Sequence, residues 1–431
     1  MQSVYGNRKS SFALSIVMGI AFLAFSRNIG WALNKGFTFT MLSEYTNSSL
    51  IKGTVLALEG LMGLVVPPLI GWYSDRIFTK VGRRKPFIIE GGILAGFFLF
   101  LAYVTYLYGW LFEMFLAFIG FFYFAMHLYT APFRALMPDV IKSGDRGKAS
   151  GIITLFEVVG SLTGFILGAI LWDINPTYTF LMGLVLIPLG SVLTYTIIEE
   201  HELEEEALIA VKEETLLKYA KRMFHEVDTL KFYAAQTLWW MAFEFIAIFF
   251  VGIAAQILLG SPSEENIKKI TSSAVILMGI FNIAAVFTAI PGGYIYDKLG
   301  RKISIIIGNL IFGFSILAGM FASTYMHVLI IMITAGLGWG IVLSSSYPVI
   351  GDLLTKYQRE EYNGRYYGLF EASRSIPILL GGVIGGAVVY MAGNNYISLF
   401  PASAISVFSA IPIVLSMKKL EVSENAFDSS D

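Results

Sequence analysis

Charged and aromatic side chains stand inside the first long apolar run of the sequence. Arg27, Trp31 and Lys35 follow one another at four-residue steps, with Asn28 alongside, so a helix places them along one stripe. A charge inside a bilayer costs roughly 2.5 to 3.5 kcal/mol on insertion scales, so such a stripe faces a partner, a water-filled cavity or a ligand. Amide and cationic groups can hydrogen-bond hydroxyls, and an indole ring offers an apolar plane. The stripe is therefore expected to bind a sugar-like solute.

Carboxyl groups inside other apolar runs are candidates for carrying a proton. Glu244 follows Trp240 in an aromatic stretch, and Glu157 has no basic neighbour nearby in its own run. Burial disfavours the charged form of a carboxyl, which lets such a group take up and release a proton. We expect Glu244 first and Glu157 second in this role, while Glu59 could serve equally by its position.

Some of these charges also have a purely structural interpretation. Glu371 and Arg374 stand three residues apart, close enough on a helix to neutralise each other, so they form either a structural pair or part of the proton-coupling site. Arg27 could likewise form an ion pair with Glu59 or Glu157 that only holds its helix in place. Both alternatives stay open at the level of sequence.

The composition indicates an integral membrane protein. Hydrophobic residues make up 56% of the 431 residues and charged residues only 14%, compared with roughly half and a quarter in soluble domains. Runs long enough to cross a bilayer as helices predict twelve membrane spans in an all-α fold. The predicted spans are 12–35, 52–74, 86–107, 111–133, 149–172, 177–198, 233–259, 271–295, 303–323, 326–349, 366–391 and 396–417.

The single long polar stretch divides the chain into two halves. Residues 199–231 begin with an acidic run and continue with apolar residues at helical spacing, which is typical of an amphipathic helix at a membrane surface. The predicted organisation is a six-span half at 1–198, this linker, a second six-span half at 232–417 and a tail at 418–431.

The distribution of basic residues predicts the orientation. Most Lys and Arg residues fall in the two termini, the central linker and the alternate loops that lie on the same side of the membrane as these segments. By the positive-inside rule, that side is the cytoplasm. We therefore expect a multi-pass protein of the cell membrane with both termini cytoplasmic.

Several classes of function are excluded or disfavoured by composition. A net charge of -1 gives no basic excess for binding nucleic acid. The absence of Cys rules out disulfides and thiolate chemistry. No pair of His residues has the spacing of metal ligands and no phosphate-binding loop follows a strand, so we expect neither a metal nor a cofactor, and an enzyme is disfavoured.

The two halves repeat a loop motif, as duplication of a six-span unit would produce. The segment after the second span places a Gly, an Asp and a basic cluster around a tight turn, and the corresponding segment after the eighth span repeats it. We expect these loops to act as a latch, with Asp75 pairing with a helix N-terminus or an Arg in one state only. The latch residues are Gly71, Asp75, Arg83 and Arg84 in the first half and Gly293, Asp297 and Arg301 in the second.

Two further correspondences keep nearly the same register. Asp139 corresponds to Asp352, which is expected after the tenth span, and Glu157 corresponds to Glu371. Glycines at four-residue spacing in the fifth and eleventh spans are expected to let helix backbones approach closely.

The loop motif, the repeat and the spans resemble the major facilitator superfamily. Over roughly the first 170 residues the sequence more specifically resembles the plant sucrose/proton symporters and related glycoside symporters. This likeness lies in the "GWAL" and "GLVVPPLIG" segments, the "GRRKP" run beginning at Gly82, and the "PFRALMPD" segment. In that family, the residues matched by Arg134 and Glu244 are associated with proton-coupled sugar uptake. In the fourth span, the family has an acidic residue where this sequence has Tyr123. In the seventh span, it has an Asp where this sequence has Trp239 and an Arg where this sequence has Phe243.

The resemblance implies a secondary transporter that moves a sugar or glycoside with a proton by alternating access. Its site would combine Arg27, Asn28, Trp31, Lys35 and Arg134 with Trp240 and Glu244 of the other half, and its partners would be the solute, protons and the lipid bilayer. A monomer would suffice. The alternatives are efflux or exchange of organic anions, for which Arg27, Lys35 and Arg374 could bind carboxylate, and a membrane sensor that does not transport.

Overall fold

The computed structural model describes residues 14–74, 79–141, 146–200, 226–356 and 373–417. Within these ranges the regular elements are helices, and the only β-type pairing is an isolated bridge between Thr79 and Gly82. Long apolar runs without competing turn signals favour helices in a membrane, because a helix satisfies its backbone hydrogen bonds internally.

Six long helical segments form the first half. They are α1 (Leu14–Tyr45), α2 (Ser49–Ser74), α3 (Lys85–Leu107), α4 (Phe112–Leu128, continued after Tyr129 by Thr130–Val140), α5 (Arg146–Leu162, a π-helical turn at Thr163–Leu167 and Gly168–Ile174) and α6 (Pro176–Ile197).

The second half repeats this organisation. Its segments are α7 (Val227–Ala247, continued by Phe250–Leu259), α8 (Glu264–Leu299), α9 (Arg301–Ala318, ending in a 3-10 turn at Gly319–Phe321), α10 (Tyr325–Lys356), α11 (Ser375–Met391) and α12 (Leu399–Ser416, preceded by a 3-10 turn at Tyr396–Ser398).

The lengths of these helices agree with the predicted membrane architecture. Ten of the described helices are long and apolar enough to cross a bilayer, and the two parts of α7, bent by 49°, bring the number to eleven when they are counted as one span. The shorter apolar helix α11 occupies the end of the predicted span 366–391. The prediction of an all-α integral membrane fold is confirmed.

The helix ends define two faces of the bundle. On the first, which we call the motif face, α1 begins beside the end of α6, and the Lys231 ammonium at the start of α7 donates to the Ser416 carbonyl of α12 at 2.8 Å. On the second, the opposite face, Glu44 at the end of α1 pairs with Lys268 of α8. There the Ser49 hydroxyl of α2 also donates to the Asn394 side chain at 3.0 Å.

Several helix boundaries differ from the prediction because polar side chains are satisfied inside the bundle. The first span was predicted to end at residue 35, but α1 continues to Tyr45. Its Thr40 hydroxyl hydrogen-bonds that of Thr271 at 2.8 Å, and Ser43 donates to a carbonyl one turn earlier. Lys35 therefore lies well inside the bundle.

Three other polar residues near the predicted ends of spans also lie in helices. Lys52 is 1% exposed in α2, with its ammonium 4.9 Å above the centre of the Phe39 ring. Lys268 belongs to the beginning of α8. Asp352 lies inside α10, which continues beyond the predicted end at residue 349, so the prediction that it lies after helix 10 is wrong.

The predicted glycine stripes form close helix contacts. Gly160, Gly164 and Gly168 of α5 lie against α1, where a Cβ atom at Gly160 would come within 2.2 Å of the Phe25 carbonyl oxygen. In α11, Gly382 and Gly386 lie against α2, while Gly381 and Gly385 lie against α7. Contact between α2 and α11 joins the two halves, and small residues allow it where lipid supplies no hydrophobic drive for association.

Because α2 and α11 pack so closely, adding a single methyl group at their contact should lower the stability of the protein. A Cβ at Gly53 would lie 2.1 Å from the Gly382 carbonyl oxygen, so Gly53→Ala should force the helices apart and destabilise the protein by about 1 to 3 kcal/mol. Thermal unfolding in detergent measures this. Gly120→Ala is the control, because a Cβ there has nothing within 4 Å; equal stability of the two variants would contradict the observed packing.

Candidate functional site

An ion pair between the two halves lies near the centre of the bundle. The Lys35 ammonium of α1 is 2.8 Å from Oε2 and 3.1 Å from Oε1 of Glu244 in α7. Glu244 is 1% exposed and lies about halfway along α7. Gly381 of α11 makes room for it, since a Cβ at Gly381 would be 2.8 Å from the Glu244 Cβ. Lys35 and Glu244 were both predicted as site residues from the sequence, and in the structure they are in direct contact.

A second carboxylate completes this centre. Oε1 of Glu59, from α2, is 3.9 Å from the same ammonium. Its Oε2 accepts a hydrogen bond from the Asn34 side-chain amide at 3.0 Å. The Asn34 carbonyl oxygen in turn accepts from the Thr38 hydroxyl at 2.9 Å and the Tyr123 hydroxyl at 3.1 Å. We call Lys35, Glu244, Glu59, Asn34, Thr38 and Tyr123 the central network.

A narrow cavity lies beside the central network. It is lined by Asn34, Lys35, Phe39, Leu56, Glu59 and Ile248. Its volume of about 10 Å³ has room for about one water molecule. In this conformation the cavity is too small for a sugar, so a solute of that size needs the halves to separate around it.

The remaining residues of the α1 stripe face different neighbours. The Arg27 guanidinium is buried and lies 5.5 Å from the Phe133 ring centre. The Trp31 ring lies 5.2 Å from the His127 ring of α4. Asn28 donates to the Ala24 carbonyl at 2.9 Å and accepts a long contact of 3.4 Å from the Ser161 hydroxyl of α5. Of the stripe, Lys35 alone is part of the central network.

Arg134 and Glu157 form a separate ion pair within the first half. The Arg134 Nη1 atom of α4 lies 3.3 Å from Glu157 Oε1 of α5. Glu157 therefore pairs with Arg134, so the alternative in which it partners Arg27 is not what the structure shows. The two side chains are 36% and 21% exposed, which leaves this pair more accessible than the central network.

Arg374 and Trp240 are stacked on each other in the second half. The guanidinium of Arg374, which immediately precedes α11, lies 4.2 Å from the centre of the Trp240 ring in α7, and Trp339 of α10 meets Trp240 edge-on at 4.7 Å. One face of Trp240 is thus covered in this conformation. Arg374 is also close enough to Lys35 to repel it electrostatically. Glu371, the predicted partner of Arg374, lies outside the described residues.

Two of the predicted latch residues, Arg83 and Arg84, pair with Asp139 of α4. Its carboxylate accepts from Arg83 Nη2 at 2.7 Å and from Arg84 Nε at 3.1 Å, and Arg84 Nη1 donates to the Ser74 hydroxyl at 2.5 Å. Asp75, which we predicted to form the latch, lies outside the described residues. Gly71 lies one turn before the end of α2, where a Cβ would approach the Ala131 side chain at 3.6 Å.

The second half repeats this ion pair. Arg301, at the start of α9, pairs with Asp352 of α10, as Arg83 pairs with Asp139 of α4. Gly82 and Gly300, which precede the two arginines, both have positive φ, at 119° and 80°. Gly293 and Asp297 lie within α8, and the position of the Asp297 side chain is outside what the structure describes. The match of Asp139 with Asp352 supports an internal repeat.

Glu200, at the start of the polar linker, binds the beginning of α3. Its carboxylate accepts from the backbone N–H groups of Arg83 at 2.9 Å, Arg84 at 2.9 Å and Lys85 at 2.8 Å. These groups have no partner within the helix, and the positive end of the helix dipole favours a carboxylate there. The first residues of the linker are therefore attached to the motif face through Glu200.

Sequence reasoning missed or passed over parts of this site. Glu59 was considered as a proton carrier, but its apolar neighbours in the chain gave no reason to choose it. Thr38 carries no charge, and nothing in the sequence distinguishes it from a packing residue. Tyr123 was marked only as the position where the resembled family has an acidic residue, which gave no reason to place it beside Glu59. Glu200 was hidden in an acidic run. Of these residues, Asp139 alone was marked by the internal repeat, because it corresponds to Asp352 in the second half.

Comparison with known proteins agrees with this fold. The profile of the Major Facilitator Superfamily matches residues 16–381, and a further match covers residues 245–429. The first match alone covers most of the chain and both halves of the bundle. The chain belongs to the Major Facilitator Superfamily.

The more similar sequences include named sugar transporters. Sucrose transport protein SUC4 of Arabidopsis thaliana is 27% identical over 175 residues, which cover 37% of this chain and 34% of that protein. Proton-associated sugar transporter A of Homo sapiens is 25% identical over 162 residues, covering 35% of this chain and 22% of that protein. The matched regions thus span 34% and 22% of the length of these two relatives.

A solved structure has the same fold over nearly the whole chain. The crystal structure of nucleoside transporter NupG superposes with a TM-score of 0.70, covering 93% of this chain and 98% of that one, at 15% sequence identity. At this identity the likeness concerns the fold alone.

The Glu200 contacts predict a localised loss of stability. Glu200→Gln keeps the shape of the side chain but removes the charge that three backbone donors share, so it should destabilise the protein by about 1 to 2 kcal/mol. Thermal unfolding in detergent measures the change. Glu199→Gln is the matched control, because Glu199 is the exposed neighbour. A loss of the same size in both variants would assign the effect to general charge rather than to capping of α3.

Proposed function

We propose that the protein is a secondary transporter that carries a sugar or glycoside together with a proton by alternating access. The observation that carries this proposal is the Lys35 and Glu244 ion pair at 2.8 Å, which joins the two halves through a residue that can be protonated. Protonation of Glu244 removes one partner of the pair. The state in which the halves separate then becomes easier to reach, which is the differential affinity that coupling requires.

The sugar assignment rests on chemistry and on the relatives. Arg27, Trp31 and Lys35 follow one side of α1, and the Trp31 ring is partly exposed. Amide, cationic and aromatic groups of this kind suit a polyhydroxylated solute. Of the two similar proteins described above, one is named a sucrose transport protein and the other a proton-associated sugar transporter. Arg134, on the motif-face side of Trp31, would contact the solute or hold Glu157 ready to exchange a proton.

Exchange or efflux of an organic anion is the second candidate function. Arg374 and Lys35 lie near enough to repel each other, and a carboxylate bound between them would relieve this repulsion. In that case the anion would take the place of a sugar, and Trp240 would support the Arg374 guanidinium rather than the solute.

We also propose that the motif face is cytoplasmic and that the protein acts as a monomer in the cell membrane. The described basic residues gather on that face, among them Arg83, Arg84, Lys148, Arg301 and Lys302, whereas the opposite face has Lys52, Lys268 and Lys269. An excess of Lys and Arg marks the cytoplasmic side.

Charge movement in proteoliposomes tests the transport proposal directly. The protein is reconstituted on a solid-supported membrane and exposed to neutral mono- and disaccharides at several pH values. A transient current on sugar addition that disappears when the proton supply is removed is the expected result. Silence to every sugar, together with exchange of carboxylates, would favour the organic-anion candidate instead.

Glu244 provides the residue-level prediction. Glu244→Gln should lower uptake driven by a pH gradient by about tenfold or more, because the proton has lost its acceptor, while solute exchange at equal pH continues. Glu90→Gln serves as the control, since Glu90 is an exposed residue of α3 outside the central network. Uptake by Glu244→Gln that still follows the pH gradient as in the unmodified protein would overturn the assignment of the proton to Glu244.

The orientation can be tested because the chain contains no Cys. Lys80→Cys places a single thiol in the exposed loop of the motif face, and Tyr108→Cys places one in the exposed loop after α3 on the opposite face. In intact cells, an impermeant maleimide should label Tyr108→Cys and leave Lys80→Cys unlabelled until the cells are opened. The reverse pattern would invert the proposed topology.

A further inference from the structure

The Lys35 ammonium has carboxylates of both halves within reach. Glu244, which holds it at 2.8 Å, belongs to the second half, whereas Glu59, at 3.9 Å, belongs to the same half as Lys35. A shift of about 1 Å at the end of a flexible Lys side chain would bring the ammonium into hydrogen-bonding distance of Glu59. The two carboxylates therefore offer the ammonium alternative positions, one between the halves and one within the first half.

Glu59 is held in place as an acceptor by neutral groups of its own half. The Asn34 amide donates to Glu59 Oε2 at 3.0 Å, and the Asn34 carbonyl oxygen accepts from Thr38 and Tyr123. Because two hydroxyl donors occupy the Asn34 oxygen, the amide nitrogen is the end that faces Glu59. Thr38 and Tyr123 are fully buried. This arrangement keeps the Glu59 carboxylate in position whether or not Lys35 is bound to it.

Burial makes such an acceptor necessary. An ammonium in the membrane interior without a carboxylate carries a large desolvation cost. If Glu244 were the only carboxylate available, protonation of Glu244 would leave the Lys35 ammonium buried without a negatively charged partner. Transfer of the ammonium to Glu59 avoids that cost and breaks the link between the halves at the same moment.

We propose that Glu59 is a positioning residue that takes over the Lys35 ammonium when Glu244 is protonated, so that an ion pair between the halves is exchanged for one within the first half. This inference rests on the proposed role of Glu244 as the proton acceptor. It adds a specific order of events, in which release of the second half follows protonation and Lys35 stays paired throughout.

Other ionisable groups surround this exchange and share its electrostatics. Arg27 of α1 and Glu244 of α7 act on the Glu59 carboxyl, together with Lys35. Tyr123 and His127 of α4 also face Glu59, the latter through the Glu59 backbone carbonyl at 3.1 Å. Arg374, which immediately precedes α11, acts on Lys35 from the second half.

A thiol reporter at the opposite face can follow separation of the halves. The Thr271 side chain is fully buried and hydrogen-bonded to Thr40 of the other half at 2.8 Å. In a chain that contains no Cys, Thr271→Cys supplies a single thiol that reacts with a soluble maleimide only when the halves part there. Labelling rates are measured on the purified full-length protein between acidic and alkaline pH.

The two carboxylates should have opposite effects on this rate. In the reporter background we expect acidification to speed labelling, Glu244→Gln to label about tenfold faster at alkaline pH, and Glu59→Gln to label more slowly and respond less to acid. Gln at position 59 can still accept from Asn34, so folding should survive. Glu90→Gln is the matched control. Labelling of Glu59→Gln at the rate and pH dependence of the reporter alone, or as fast as Glu244→Gln, would overturn the proposal.

A thermal double-mutant cycle provides an independent readout in the chain without the reporter. Each single Gln substitution leaves Lys35 one carboxylate, whereas the double variant Glu59→Gln/Glu244→Gln leaves it none. The double variant should melt lower than the sum of the single changes predicts, by about 5 °C or more, and adding Lys35→Met should restore the loss. Additive changes would show that Glu59 does not replace Glu244.

The two proposals can fail separately. Proton-driven uptake tests Glu244 as the coupling residue, whereas labelling and melting test whether Lys35 moves between two carboxylates. If Glu244→Gln keeps uptake that depends on the pH gradient, but the double variant still shows the excess loss of stability, the proton assignment fails and the exchange of Lys35 stands.

Discussion

A lysine ammonium inside a membrane protein needs a carboxylate, and the position of that carboxylate decides what the ammonium holds together. Here the acceptor in contact with Lys35 belongs to the other half of the protein. The central ion pair is therefore also a connection between the two halves. Gly381 allows the connection, because only a residue without a side chain lets α11 approach α7 so closely at Glu244.

The other ion pairs of the described residues divide between two roles. Arg83 and Arg84 with Asp139, Arg134 with Glu157, and Arg301 with Asp352 each join helices of the same half. They stabilise each six-helix unit as a body. Contacts between the halves on the opposite face depend instead on close backbone packing of α2 and α11, the Thr40 and Thr271 hydroxyls, and the exposed Glu44 and Lys268 pair. Such contacts can break without leaving a buried charge unpaired.

Much of the architecture followed from patterns that are local in the chain. Apolar runs located the helices, and the repeated Gly, Asp and Arg residues indicated the duplication that the Asp139 and Asp352 pairs support. The ends of α1, α8 and α10 were misplaced, because hydropathy treats Thr40, Lys268 and Asp352 as breaks. In the bundle these polar groups find partners on neighbouring helices, so the helices continue through them.

The sequence predicted several residues of the candidate site but not which of them would contact each other. Charge within an apolar run singled out Lys35 and Glu244, since any such residue needs a compensating partner wherever the chain folds. The choice of partner was beyond the sequence: Glu157 pairs with Arg134, and Glu59, with Asn34 and Tyr123, completes the centre instead. Sequence alone determined that this is a helical membrane protein with buried charges, because the cost of polar groups in lipid is the same for every fold. Only the tertiary structure decided which charges meet, because pairing depends on distances of a few ångströms between helices far apart in the chain.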